Sequence, residues 1–181
     1  MRLRIGALIA LVGVLTAFVL PMSTAQAQVT TPVTGSCVIE QGAGTADDLT
    51  GTFTGQFEIT RFIVRQGQLY ARGVLTGTCT AVDAAGNIVT ETVNEVVRIP
   101  VNIGQSSGTC EILDLVLGPL HLDLLGLVVD LNQVHLEITA EQGPGNLLGN
   151  LLCAVAGLLD RPAATPNALA TLLNQILGIL G

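Results

Sequence analysis

Residues 110–140 read CEILDLVLGPLHLDLLGLVVDLNQVHLEITA, and the period of this stretch decides the fold class. Leu113, Leu115 and Leu117 alternate with Asp114 and Val116. After Gly118-Pro119 the frame shifts, and Leu120, Leu122 and Leu124 alternate with His121 and Asp123. Gly126 interrupts again. Leu127, Val129 and Leu131 then alternate with Val128 and Asp130, and Val134, Leu136 and Ile138 with His135, Glu137 and Thr139. A strand collects alternate residues on one face, whereas a helix would scatter these polar residues around its axis. Leucine is not a strong strand former, so the pattern has to outweigh propensity. The stretch predicts short strands kinked at Gly118-Pro119 and Gly126, where a bend changes which face points inward.

The same period of two governs the chain upstream, from about Ser36 to Val101. Phe53, Phe57 and Ile59 share one face of a strand, and Thr54, Gln56, Glu58 and Thr60 the other. Arg65-Gln66-Gly67-Gln68 reads as a hairpin turn with glycine where positive φ is wanted. A strand follows from about Leu69 to Val82, with Leu69, Ala71, Leu75 and Cys79 on its apolar face. The turn Asp83-Ala84-Ala85-Gly86-Asn87 leads into another near Ile88 to Val101. Pro100 belongs at the end of that strand or on an edge. This half is therefore an antiparallel meander. Leu49-Thr50-Gly51-Thr52-Phe53-Thr54 recurs as Leu75-Thr76-Gly77-Thr78-Cys79-Thr80, the mark of two strands under the same packing constraints in one sheet. Residues Gln28 to Thr34 read as a short, loosely held polar lead.

Downstream the period lengthens. Gln142-Gly143-Pro144-Gly145 breaks the chain, and from Asn146 apolar residues recur at three and four: Leu147, Leu148, Leu151, Leu152, Val155, Leu158 and Leu159. This helix ends near Asp160, stopped by Arg161-Pro162. Thr165 caps a second helix with Pro166 at its first position, and Leu169, Leu172, Leu173, Ile176, Leu177 and Leu180 form its stripe. The first helix is poor in polar groups and is expected to lie buried on the sheet, with the second covering what remains. The fold class is α+β: a mainly antiparallel β-sheet, sandwich or barrel-like meander, followed by two C-terminal helices packed on it. Residues 28–181 form one β-rich domain whose helical hairpin starts near residue 146.

Residues 1–27 carry the marks of a secretory signal peptide. Arg2 and Arg4 supply the positive start, Ile5 to Leu20 is an uncharged run of 16 residues, and Ala25-Gln26-Ala27 is a small-x-small cleavage pattern. Sixteen residues fall short of the roughly 20 that a spanning helix needs. Cleavage after Ala27 leaves 154 of the 181 residues, with five Arg, no Lys and fourteen acidic residues, a formal charge of −9. The expectation is an exported protein, secreted or held in the periplasm or cell envelope, with no transmembrane segment once the leader is removed. All four cysteines lie beyond the leader, and an even count in an oxidising compartment predicts two disulfides. Of three connectivities, Cys37–Cys79 and Cys110–Cys153 keep each bond within one half of the chain. No paired C-x-x-C spacing supports a zinc site.

Residues 110–160, CEILDLVLGPLHLDLLGLVVDLNQVHLEITAEQGPGNLLGNLLCAVAGLLD, and residues 51–78, GTFTGQFEITRFIVRQGQLYARGVLTGT, resemble a family of secreted bacterial proteins without an assigned activity. The resemblance covers about half of the chain beyond the leader. It implies an exported bacterial module in which Cys110 and Cys153 belong to the shared core, and it carries over no catalytic residue.

Function classes can then be weighed against the residues. A nucleic-acid binder needs a basic stripe, and a chain of net charge −7 with no Trp and one Tyr supplies neither that nor stacking surfaces. Gly104-Gln105-Ser106-Ser107-Gly108 matches a nucleophile elbow, with Asp114, Asp123 or Asp130 and His135 following in hydrolase order. The elbow, however, needs a helix after it, and here a strand-like stretch follows. His121-x-Asp123 and His135-x-Glu137 each place an imidazole and a carboxylate on one strand face. Were the two strands neighbours, these four residues could converge on a divalent metal. The plainer reading is a solvated face. Gly51, Gly55, Gly67, Gly73 and Gly77 form no phosphate-binding loop, and no cofactor is implied. The expectation is an exported non-enzymatic module with a structural or binding role outside the cytoplasm. Its rivals are a carrier of an apolar ligand such as a lipid, suggested by the Leu-rich strands, and a metal-dependent hydrolase.

Overall fold

A computed structural model describes residues 29–41, 48–141, 143–161 and 165–180; the leader at 1–27 lies outside them. The meander is β1 (Val29–Ile39), β2 (Leu49–Arg65), β3 (Gln68–Val82) and β4 (Ile88–Pro100). Next come β5 (Ser107–Gly108), β6 (Ile112–Leu117), β7 (Leu120–Asp123), β8 (Leu127–Leu131) and β9 (Val134–Thr139), then α1 (Leu147–Leu159) and α2 (Pro166–Leu180). The strands form a curled six-stranded sheet, ordered β4-β3-β2-β1-β8-β7, and a three-stranded sheet, ordered β5-β6-β9. Every pairing is antiparallel. The α+β class read from the sequence is the one observed.

The polar lead needs correcting. Val29 to Thr34 are the first half of β1, paired with β2 from Val29 opposite Ile59 onward. Thr31 and Val33 are buried, continuing inward through Gly35 and Cys37 to Ile39. A threonine in the apolar row and Pro32 beside it hide this alternation. Pro32 is tolerated for a geometric reason. The Thr34 carbonyl accepts from the Asn132 N–H, so even-numbered backbone groups of β1 face the β8 side. Pairing with β8 extends only from Gly35 to Ile39, so the N–H that Pro32 lacks had no ladder partner to lose.

The curl of the large sheet is set along β2 and β3. On their inward faces Gly51, Phe53, Gly55 and Phe57 lie beside Gly73, Leu75, Gly77 and Cys79, with Gly55 directly opposite Gly77. The Phe53 ring occupies the space where a side chain at Gly77 would stand. A Cβ there would meet Phe53 Cζ and lie 2.6 Å from the Thr54 carbonyl oxygen. Phe57 does the same at Gly73, with its Cε2 2.8 Å from the Cβ position. Aromatic rings laid over strand glycines let a sheet bend sharply without leaving its backbone bare. The Cys37–Cys79 disulfide joins β1 to β3 across β2, with Cα atoms 6.0 Å apart. In a flat sheet two strands separated by a third stand about 9.5 Å apart. The sheet is folded along β2, and the disulfide pins the fold.

The concave face so formed takes α2. Leu169, Ala170, Leu173 and Ile176 are buried against β2 and β3. Asn174, half-buried on the same helix, makes a peptide-like pair with the strand: its Oδ1 accepts from the Phe62 N–H at 2.7 Å, and its Nδ2 donates to the Phe62 carbonyl at 2.8 Å. Phe62 lies just past a register shift between Ile59 and Arg61, where pairing with β1 has ended. The side-chain amide supplies what a neighbouring strand would.

Both helices pack on sheet, as the sequence leads one to expect, but each on a different one. α1 packs on β5 and β6 of the small sheet and on α2. Gly149, Leu152, Val155 and Ala156 are covered, while Leu147 is 59% exposed. Cys110–Cys153 ties α1 to the segment entering β6. The two sheets meet where the chain leaves β4: Val101 bridges to Leu117 of β6, and the Asn102 N–H donates to the Val116 carbonyl. The breaks at Gly118 and Gly126 fall where the sequence places them, both glycines at positive φ.

Three stability measurements test this fold. Gly77→Ala is expected to lower the unfolding free energy by about 1–3 kcal/mol through overpacking against Phe53. Gly157→Ala, at an exposed α1 position with open space around it, is expected to raise it by about 0.5–1 kcal/mol. Asn174→Leu leaves both Phe62 backbone groups without their partner and should cost about 1–3 kcal/mol in urea denaturation.

Candidate functional site

The histidine–carboxylate pairs of the sequence are rearranged in space. β7 is an edge of the large sheet and β9 an edge of the small one, so the two strands are not neighbours. His121 pairs with Asp130, directly opposite on β8, at 2.5 Å, and not with Asp123. Asp123 instead accepts from the Leu125 N–H at the β7–β8 turn. His135 pairs with Asp114 across to β6, its Nδ1 3.2 Å from Oδ2, while Glu137 stands opposite Asp114. For His121 the reason is spacing: a directly opposite cross-strand residue stands nearer than one two places along the same strand, about 6.6 Å away. His135 lies opposite Val116 and reaches Asp114 diagonally. Both histidines are well exposed, at 67% and 62% of their side chains. Among the described residues no group of three or more His, Cys, Asp or Glu is arranged to hold a metal ion.

The serine motif is built into a strand junction. The Ser106 hydroxyl donates to the Asn102 carbonyl at 2.8 Å and accepts from the Val116 N–H at 3.1 Å. Ser107 and Gly108 form β5 against Asp114 and Leu113. No strand-to-helix turn lifts a nucleophile here. The hydroxyl closes the turn and holds β6 in place.

The concave side of the sheet, where an apolar ligand would have to lie, is lined by Phe53, Phe57, Leu69, Leu75, Leu115, Leu173 and Ile176, each 0–1% exposed. These belong to one core cluster shared by both sheets and both helices.

The convex face of the large sheet carries uncharged hydroxyls over much of its area, with Thr34, Thr54, Thr78 and Thr92 in register across four strands. One corner departs from this. Arg61 stands opposite Arg72, and Arg72 opposite Arg98, a row of like charges over β2, β3 and β4. Arg65, Gln66, Tyr70 and Arg98 line an adjoining open cleft of about 500 Å³. Sequence reasoning missed this group because the register shift after Ile59 decides it. With unbroken alternation Arg61 would share the inward face of Phe57 and Ile59, whereas Thr60 and Arg61 are both exposed. The isolated signal available was that four of the five arginines beyond the leader fall between residues 61 and 98.

At the opposite end of β3 and β4, Asp83 organises the second hairpin. Its carboxylate accepts from the Asn87 side-chain amide at 2.9 Å and from the Asn87 and Ala85 N–H groups at 2.8 and 2.9 Å. These bonds, the Asn87 side chain first, hold the Asp83 carboxyl below its ordinary value of 3.8. No protein-family model matches the chain, and no curated protein or solved structure is significantly similar to it.

A group whose folded pKa is depressed contributes stability above its unfolded value and loses that contribution as pH falls through the folded one. The difference in urea midpoint between the natural protein and Asp83→Ala should therefore be largest near neutral pH. It should shrink as pH drops below the ordinary carboxylate range.

Proposed function

We propose that the chain is an exported, disulfide-stapled module with a non-catalytic binding or structural role outside the cytoplasm. The observation that carries this reading is the pair of disulfides. One pins the crease of the large sheet and the other fastens α1 to the small sheet, so both bond separate parts of the fold. Bonds so placed persist in oxidising compartments and are rare where thiols are kept reduced. The leader-like residues 1–27 and the resemblance of residues 51–78 and 110–160 to secreted bacterial proteins support the same reading. So does the long-chain loop each bond closes. The sequence separations are 42 and 43 residues, for which chain entropy gives roughly 3–4 kcal/mol of stabilisation per bond. Among the described residues no helix is long and apolar enough to cross a membrane.

Expression of the full 181-residue chain in a secreting bacterium, followed by intact-mass measurement of fractions, tests the reading. The expected product lies outside the cytoplasm, begins at Gln28 and takes up no alkylating agent without prior reduction. Retention of the whole chain in the cytoplasm with alkylatable thiols would overturn it. A lipid adduct in the native mass spectrum would replace it with the carrier reading. A bound divalent ion lost on His135→Ala would replace it with the metal-hydrolase reading.

A further inference from the structure

We infer that the arginine corner of the large sheet is a binding site for a phosphate-type oxyanion. The first ground is charge segregation. Beyond residue 27 the chain has five arginines against fourteen acidic residues, yet Arg61, Arg65, Arg72 and Arg98 converge on one end of three adjacent strands. The second is the absence of compensation. Like charges directly opposite across a strand pair disfavour the sheet, and here the arrangement occurs twice, Arg61 with Arg72 and Arg72 with Arg98. Among the described residues no carboxylate forms an ion pair with any of the four. Glu58, in the adjoining row opposite Val74, leaves them unpaired. A fold that keeps such a row works against its own stability, as functional sites do.

The third ground is the match of donors to ligand. Guanidinium groups present planar forks of N–H donors and no acceptor, and phosphate oxygens accept two such bonds side by side. Tyr70, the only tyrosine, is half-buried in the same cleft as Arg65 and Arg98 and adds a hydroxyl donor. Strands lie about 4.8 Å apart, so guanidiniums from neighbouring strands can reach a single phosphate group. Glu58 repels an anion from one side of the row, which places the ligand toward Tyr70, between Arg98 and Arg65. The cleft of about 500 Å³ is larger than a bare phosphate requires and admits an esterified one. With a net charge of −9 beyond the leader, the field of the whole protein repels anions, so the short-range forks must do the holding.

The test uses the oxidised, full-length exported protein and does not depend on where the protein acts, so its failure leaves the export reading untouched. Calorimetric titration with pyrophosphate and flotation with phosphatidylglycerol vesicles, against phosphatidylcholine vesicles, separate a free phosphate from a lipid headgroup. Binding of either probe supports the site and identifies the source. Arg98→Gln is expected to weaken binding at least tenfold, while Arg161→Gln, at the end of α1, leaves it unchanged. Arg72→Gln should weaken binding and raise the melting temperature by relieving repulsion, a gain that a merely structural arginine would not give. No binding of either probe at millimolar phosphate, equal losses in Arg98→Gln and Arg161→Gln, or a lowered melting temperature in Arg72→Gln overturns the inference.

Discussion

The close approach of Phe53 and Phe57 to the glycines of β3 is the contact on which the rest of the structure depends. Six twisted strands can cover a helix only if the sheet bends enough to present a concave face, and a side chain at Gly73 or Gly77 would prevent that bend. Once the rings settle over those positions, β1 and β3 come close enough for Cys37 and Cys79 to bond. The disulfide is thus a consequence of the crease as well as its lock.

From the crease follows the division of the molecule into a filled inside and a patterned outside. The concave side is closed by Leu169, Leu173 and Ile176 of α2, and the small sheet joins it at Val101 and Leu117. Chemistry-bearing side chains are left on the exposed surface, in pairs or rows fixed by register. His121 meets Asp130 because the register of β7 and β8 sets them directly opposite, and His135 meets Asp114 diagonally across β9 and β6. The arginine row has the same origin.

Much of this architecture is legible in the alternation of side chains. The meander from Phe53 to Ile99, the turns at Gly67 and Gly86, the kinks at Gly118 and Gly126 and the start of α2 at Pro166 all follow from local patterns and turn chemistry. What is not legible depends on contacts between distant residues. β1 is hidden by Thr31 and Pro32, which look polar or strand-breaking until the missing ladder partner is known. Asn174 sits beside Leu173 in an apolar stripe, and nothing nearby in sequence reveals that it faces Phe62, 112 residues away. The arginine corner is obscured by a one-residue register shift, which is invisible to a period of two. The candidate site was therefore far less readable than the fold.

The Asn174 amide has a further consequence for how the molecule behaves among copies of itself. Past Ile59, the β1 side of β2 is guarded at Phe62 by one side chain from the last helix. Peeling α2 away would bare a length of hydrophobic strand with free donors and acceptors, the template on which aggregates and swapped dimers grow. The C-terminal helix is in this sense a built-in chaperone for the strand it covers, and self-association of the protein should begin with its release.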